Sequence, residues 1–297
     1  MYPVIWDFGH GISINSFGLM MALAFITANY FAVKELNRKK MRSDMMGDLI
    51  IVAAITGILG SKLFHIFENW SDFLLNPKDY LLSLSGLTFY GGLVVAGITL
   101  SLLAVKKYKL NLADFVDALA PSLILAYGIG RIGCQLAGDG DFGRPVVGQQ
   151  WGFVYDNAIV KPTSALREYF QVNQQEAAEL KFDSLRTQFS RTDYMGYRVN
   201  KFDETVKLHP TPVYETIYSV IIFGFLMWAA RKIKIPGLLF FLYLFLAGFS
   251  RLIVEFWRIN HVLAYGLSQA QWLSIVFMVS SVIASVVIYS RYKSKLS

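Results

Sequence analysis

Charged residues are scarce in this chain. Only 16% of its 297 residues are Asp, Glu, Lys or Arg, against about 25% in an ordinary soluble domain. Hydrophobic residues make up 55%, and mean hydropathy is +0.43. These figures exclude a solvated disordered chain and a conventional soluble domain, and indicate an integral membrane protein. Cysteine is scarcer still. Cys134 stands alone, so no intrachain disulfide can form and cysteine usage says nothing of the compartment. The four histidines, His10, His65, His209 and His261, lack the pairwise spacing of a metal site, and neither metal nor cofactor is expected. Asp7 precedes the first apolar run and no basic stretch does, so that run is expected to be a retained helix rather than a cleaved leader. The net charge of +7 does not point to a nucleic-acid partner, because the basic residues cluster in short loops between apolar runs, where they encode topology.

Crossing a bilayer takes about 20 mostly apolar residues. Seven such runs are present: 13–33, 46–66, 87–105, 113–136, 212–230, 237–257 and 269–290. Lys62, His65 and Glu68 weaken the end of the second, and Pro121 with a glycine series interrupts the fourth. The first, third and fifth loops and the C-terminal tail carry the Lys and Arg clusters. Cytoplasmic loops are the basic ones, which sets the N-terminus outside and the C-terminus inside. The expected fold is therefore an all-α membrane protein of seven helices. Residues 1–137 supply helices one to four, 138–210 a small extracytoplasmic head, and 211–297 helices five to seven. The head is rich in aromatics, and a surface helix capped by Thr163 or Ser164 is expected in it, with Leu166, Phe170, Ala177 and Leu180 near one face.

Two arginines interrupt apolar runs, Arg131 and Arg251. A charge at mid-helix costs about 2.5–3.5 kcal/mol even on lenient insertion scales, so it persists where it meets a partner or a ligand inside the protein. Arg251, Glu255 and Arg258 recur at i, i+4 and i+7, one stripe of a continuous helix. That stripe fits either an ion-pair ladder that locks the sixth helix or a surplus of cations awaiting a phosphate. With this topology Tyr90, Arg131, His209, Arg251 and Gln271 share one membrane level. Tyr90 fits either an aromatic belt or a hydrogen-bond donor to a ligand, and His209 either an interfacial residue or a base. The glycines around Arg131 fit close helix packing as well as close approach of a ligand. Gly128-x-Gly130-x-x-Gly133 spells a dinucleotide fingerprint but ends an apolar span instead of linking a strand to a helix. Asp141-Phe142-Gly143 spells a kinase triplet without the rest of a kinase. Cys134, a lone thiol in an apolar span, reads as a packing residue.

Four stretches together resemble the prolipoprotein diacylglyceryl transferases of bacterial inner membranes. They are Leu87-Thr-Phe-Tyr-Gly-Gly-Leu, Gly130-Arg131-Ile-Gly-Cys-Gln-Leu-Ala-Gly138, Leu208-His-Pro-Thr-Pro-Val-Tyr-Glu215 and Ser250-Arg251-Leu-Ile-Val-Glu255-Phe-Trp-Arg258. The resemblance covers nearly the whole chain. It implies transfer of a diacylglyceryl group from phosphatidylglycerol to the lipobox cysteine of a preprolipoprotein, with release of glycerol phosphate. It further implies that Arg131 holds the lipid phosphate and that Arg251 assists it or the leaving group. Glu255 would orient Arg251 or move a proton. Gln135, Asp139, Gly143 and Arg258 complete the expected substrate-binding set, with Tyr90 and His209 beside Arg131, Arg251 and Glu255 as catalytic candidates.

This chain departs from the family's pattern in places. Tyr90 replaces a histidine proposed as the family's base, and a phenol with a pKa near 10 makes a poor one. Cys134 replaces an asparagine, Phe17 a tyrosine, and the stretch from Gly138 to Gly143 is one residue longer, so either Asp139 or Asp141 stands for its acidic residue. The alternatives are a paralogous transferase with another acceptor and a non-catalytic phospholipid-binding or lipid-translocating protein. A transporter fits less well, since no duplicated halves appear.

Overall fold

The computed structural model describes residues 1–9, 13–82, 88–144, 146, 152–160, 207–260 and 263–294. Seven helices among them are long and apolar enough to cross a membrane: Ser16–Arg38, Met46–Glu68, Tyr90–Lys107, Leu112–Ala137, Thr211–Ala229, Leu238–Trp257 and Gln269–Ser294. The main helical elements are α1 (Ser16–Arg38), α2 (Met46–Glu68), the short α3 (Trp70–Leu75) and α4 (Pro77–Leu82), α5 (Phe89–Leu102), α6 (Leu112–Ala137), α7 (Thr211–Ala229), α8 (Leu238–Val254) and α9 (Gln269–Ser294).

The helical expectation holds, with additions. Two small antiparallel pairs are present, β1 (Val4–Asp7) with β2 (Ser13–Asn15) and β3 (Phe153–Val154) with β4 (Lys207–Leu208). Val4 pairs with Asn15 and Trp6 with Ile14, with an irregularity between. Residues 13–15, placed in the first span by their composition, thus belong to a strand. The expected interruption at Pro121 does not occur either: α6 runs through it. The ring removes one backbone donor, a loss that spanning helices tolerate. The head helix expected after Thr163 or Ser164 lies outside the described residues, as does most of 138–210.

The chain divides into two compact parts, residues 29–119 and residues 1–28 with 120–297. In the first, α2 and α5 meet on glycines. A Cβ on Gly60 would fall 2.6 Å from both the Gly91 carbonyl oxygen and Val95 Cβ, so the backbones touch directly. Lys39 Nζ bridges Asp114 Oδ1 at 3.2 Å and Asp117 Oδ2 at 3.6 Å, and Glu35 pairs with Arg38 at 2.8 Å. Leu36, Met45, Leu49 and Phe115 fill the core beside them. Tyr90 stands in the first turn of α5 in this part, 38% exposed.

The second part packs α6, α7 and α8 around Ile124, Ile222, Leu226 and Leu239. A Cβ on Gly128 would come within 2.7 Å of Ser219 Cβ on α7, and one on Gly133 within 3.1 Å of Met20 Cβ on α1. The glycine series on α6 is therefore a packing device. α9 turns its small and polar residues inward, with Gln271, Ser274 and Ser281 buried and Val276, Val279, Ile283 and Val286 exposed. That inversion suits a helix bathed in lipid, where close contact needs small side chains and apolar ones are at home outside.

Candidate active site

Three guanidinium groups from different segments converge on one carboxylate. Glu215, one turn into α7, has no solvent exposure. Its Oε2 lies 2.5 Å from Arg131 Nε, at the last turns of α6, and 3.5 Å from Arg258 Nη1. Its Oε1 accepts hydrogen bonds from Arg251 Nη1 on α8 and from Tyr127 Oη on α6, both at 2.8 Å. A buried carboxylate is tolerated only when paired this thoroughly. Sequence reasoning quoted Glu215 inside a motif without giving it a role. Its signal was available, since an acidic residue inside an apolar span needs a partner as much as an arginine does.

A second carboxylate closes the cluster from the loop after α6. Asp141 Oδ2 lies 2.6 Å from Arg131 Nη1, and its Oδ1 pairs with Arg258 Nη2. Burial on its own would raise the Asp141 carboxyl, but Arg258 and Arg131 hold it well below the usual carboxylate range. Asp139 behaves oppositely: burial and the neighbouring Asp141 push it above that range. The loop turns on Gly138 and Gly140, with φ of +63° and +98°, a region open to glycine at no steric cost.

The third carboxylate is Glu255. Its Oε2 lies 2.9 Å from Arg251 Nη2 and 3.9 Å from Arg258 Nε. Its Oε1 accepts from Ser268 Oγ at 2.7 Å and Asn260 Nδ2 at 2.5 Å. The continuous stripe expected for Arg251, Glu255 and Arg258 is corrected here. The α-helix ends at Val254, a 3-10 turn covers Glu255–Trp257, and Arg258 is extended at φ −81° and ψ 157°. Leaving the helix lets Arg258 reach back to Asp141 and Glu215.

Of the two arrangements open to the arginine stripe, ion pairs are the one present. Arg131, Arg251 and Arg258 face Asp141, Glu215 and Glu255, three charges of each sign. Pairing offsets part of the cost of taking these charges out of water. The balance still leaves donors over. Arg131 Nη2 and Gln135 Nε2 are buried without a hydrogen-bond partner among the described residues. Gln135 Oε1 accepts from Tyr155 Oη at 2.9 Å, which directs its amide group.

Gly143 is the rivet between the loop and the end of the sixth span. It bridges Arg258 as an isolated β pair, its N–H donates to the His209 carbonyl at 2.8 Å, and Arg144 N–H donates to that of Trp257 at 2.8 Å. A Cβ there would strike the Trp257 carbonyl and come within 2.8 Å of both His209 Cβ and Thr211 Cγ2. Gly143→Ala is therefore expected to cost about 1–3 kcal/mol, the usual range for overpacking, and to loosen the Arg258–Asp141 pair. A lowered melting midpoint in detergent would show it.

Cys134, Asp139 and Asp141 bring three potential ligand atoms within 4.8 Å of one another. They do not fit a cation, because Arg131 Nη1 already lies 2.6 Å from Asp141 Oδ2 and 3.4 Å from Cys134 Sγ. An apolar groove of about 590 Å³ runs between α7 and α8, lined by Tyr214, Tyr218, Ile221, Phe249, Ile253 and Trp257 among others. Ser250, next to Arg251 in α8, and Val254, about one turn further on, also line it. Polar cluster and apolar groove thus adjoin, as an amphipathic ligand requires. Among the expected site residues, Arg131, Gln135, Asp139, Gly143, His209, Arg251, Glu255 and Arg258 all belong to the 120–297 part. Tyr90 belongs to the other.

Fold and site together define a multi-pass membrane protein whose buried guanidinium groups are suited to an anionic headgroup. The family model for prolipoprotein diacylglyceryl transferase matches residues 3–287. The chain belongs to that family, and as a member it is a membrane transferase of lipoprotein biosynthesis. It is similar to the phosphatidylglycerol–prolipoprotein diacylglyceryl transferase of Dehalococcoides mccartyi, 29% identical over 300 residues, covering 99% of this chain and 95% of the relative. It is similar also to those of Clostridium tetani, 28% over 258 residues with 87% and 86% covered, and Streptococcus pneumoniae, 28% over 287 residues with 95% and 92% covered.

Proposed function

We propose that this chain transfers the diacylglyceryl group of phosphatidylglycerol to the lipobox cysteine of preprolipoproteins, in the bacterial inner membrane. The observation that carries the reading is the junction of the guanidinium cluster with the α7–α8 groove. An acyl chain lies in the groove and the phosphate meets the arginines. Asp141, with its side chain 28% exposed against 0% for Glu215 and 1% for Glu255, is the carboxylate that a phosphate displaces. Arg131 then donates through Nη1 and Nη2, Gln135 through Nε2, and Arg258 through the nitrogens that Asp141 releases. Asp139 and Gly143 support this loop. Arg251, steadied by Glu255, meets the negative charge that grows on the departing phosphate, the place where a preorganised cation lowers the barrier most.

The attacking sulfur belongs to the substrate, so the enzyme needs no nucleophile of its own. The basic loops favour an N-terminus outside and a C-terminus in the cytoplasm. The test is direct. Purified protein with phosphatidylglycerol and a lipobox peptide is expected to yield a peptide heavier by one diacylglyceryl group and one glycerol phosphate per peptide modified. Binding of the lipid with neither product would favour the non-catalytic alternative.

A further inference from the structure

His209 Nδ1 lies 3.1 Å from Tyr214 Oη, and nothing above gives that contact a role. His209 is held from both sides of its backbone. Its N–H donates to the Arg144 carbonyl at 3.0 Å, and its carbonyl accepts from Gly143 at 2.8 Å. The imidazole therefore has a fixed base at the outer end of α7. Tyr214 is held by its ring, edge-on to Trp257 with centroids 6.2 Å apart, and it lines the α7–α8 groove. Tyr214 and Glu215 are consecutive on one helix, about 100° apart around its axis. The same turn thus sends a carboxylate into the arginine cluster and a phenol onto the groove.

We propose that Tyr214 and His209 form the proton relay that ionises the attacking thiol, a role that rests on the transferase reading above. In the tautomer assigned here Tyr214 Oη donates to His209 Nδ1. The thiol proton passes to Tyr214 Oη as Tyr214 passes its own proton to His209 Nδ1. The sulfur electron pair forms the bond to the glyceryl carbon. The bond from that carbon to the phosphate oxygen breaks, and its electrons leave with glycerol phosphate. The proton held by His209 returns through Tyr214 to the departing phosphate or to water, so both residues end as they began.

The remaining chemistry agrees. A substrate thiol with a pKa near 8.5 is mostly protonated at neutral pH and needs an acceptor. Burial, and then Arg144, push His209 below its usual value, which keeps the ring neutral and able to accept. The cluster's carboxylates Asp141, Glu215 and Glu255 are each committed to arginines. A neighbouring imidazole supplies the basicity that a lone phenol such as Tyr90 lacks.

The test pairs His209→Gln and Tyr214→Phe with two lipobox peptides, one bearing cysteine and one selenocysteine. The glutamine still accepts from Tyr214, and the phenylalanine keeps the ring on Trp257, so both variants retain the packing. A selenol is ionised at neutral pH and needs no acceptor. With the cysteine peptide, kcat is expected to fall about 10²–10⁴-fold, the range for a lost general base, with KM for phosphatidylglycerol little changed. With the selenocysteine peptide both variants are expected to approach the wild-type rate. Equal losses on the two peptides would assign the pair a structural role and overturn the relay. Undiminished activity on the cysteine peptide would overturn it as well. Wild-type protein that modifies neither peptide would instead refute the transferase reading, and the relay with it.

Discussion

Arg131→Ala is expected to reduce transfer by about 10³-fold or more, in keeping with the loss of a cation that stabilises a transferring or departing phosphate group. The protein itself should survive the change. Glu215 keeps Arg251 and Arg258 as partners, and Asp141 keeps Arg258, so no carboxylate is stranded. Membrane insertion and the melting midpoint should stay near wild type while the peptide remains unmodified. Steady-state rates with the lipobox peptide, set beside a detergent melt, check both halves. Activity within tenfold of wild type would remove Arg131 from the chemistry.

Glu215→Ala should behave differently, with stability and activity failing together. Three guanidinium groups meet this one side chain, and it has no exposure through which water could replace it. Removing one partner from a buried ion pair costs about 3–5 kcal/mol, because the other charge is left uncompensated. Here the arginines on α6 and α8 would also repel each other, and the contact of α7 with both should open. Glu215→Gln keeps an acceptor for Tyr127 and loses the charge, so an intermediate melting midpoint is expected. The contrast between a folded, inactive Arg131→Ala and an unstable Glu215→Ala separates the residue that meets the substrate from the residue that assembles the site. Comparable stability in the two variants would contradict that division.

Most of the architecture could be read from the sequence, because a bilayer imposes a demand that composition records directly. Each span needs its run of apolar residues, and α2 keeps its helix through Lys62 and His65 to Glu68. The β1–β2 pair is not evident in the sequence, since Val4–Asp7 is too short to show alternation and Ser13–Asn15 reads as the start of the first apolar run. Arg131 and Arg251 stood out because each carries an evident cost in a span. The acidic half of the site was harder to see. Glu215 and Asp141 acquire their meaning from partners on segments far away in sequence, so the stripe on the sixth helix leaves an ion-pair ladder and a surplus of cations both open. Arg258 was misplaced because the i+7 spacing assumes a helix that in fact ends at Val254. The Phe142 and Tyr155 rings, with centroids 4.9 Å apart, show the same limit: they meet beside the site and lie 13 residues apart in sequence.

The central claim is that these guanidinium groups grip a phospholipid headgroup, and it is open to direct observation. The protein would be prepared with nitrogen-15 in its arginine side chains and loaded with phosphatidylglycerol in a phosphorus-free detergent. Solid-state NMR would then record the dipolar coupling between the lipid phosphorus and the guanidinium nitrogens. The account predicts a coupling that corresponds to hydrogen-bonding distance in the wild type and is sharply reduced in Arg131→Ala. A bound lipid whose phosphorus shows no coupling to any arginine would contradict it.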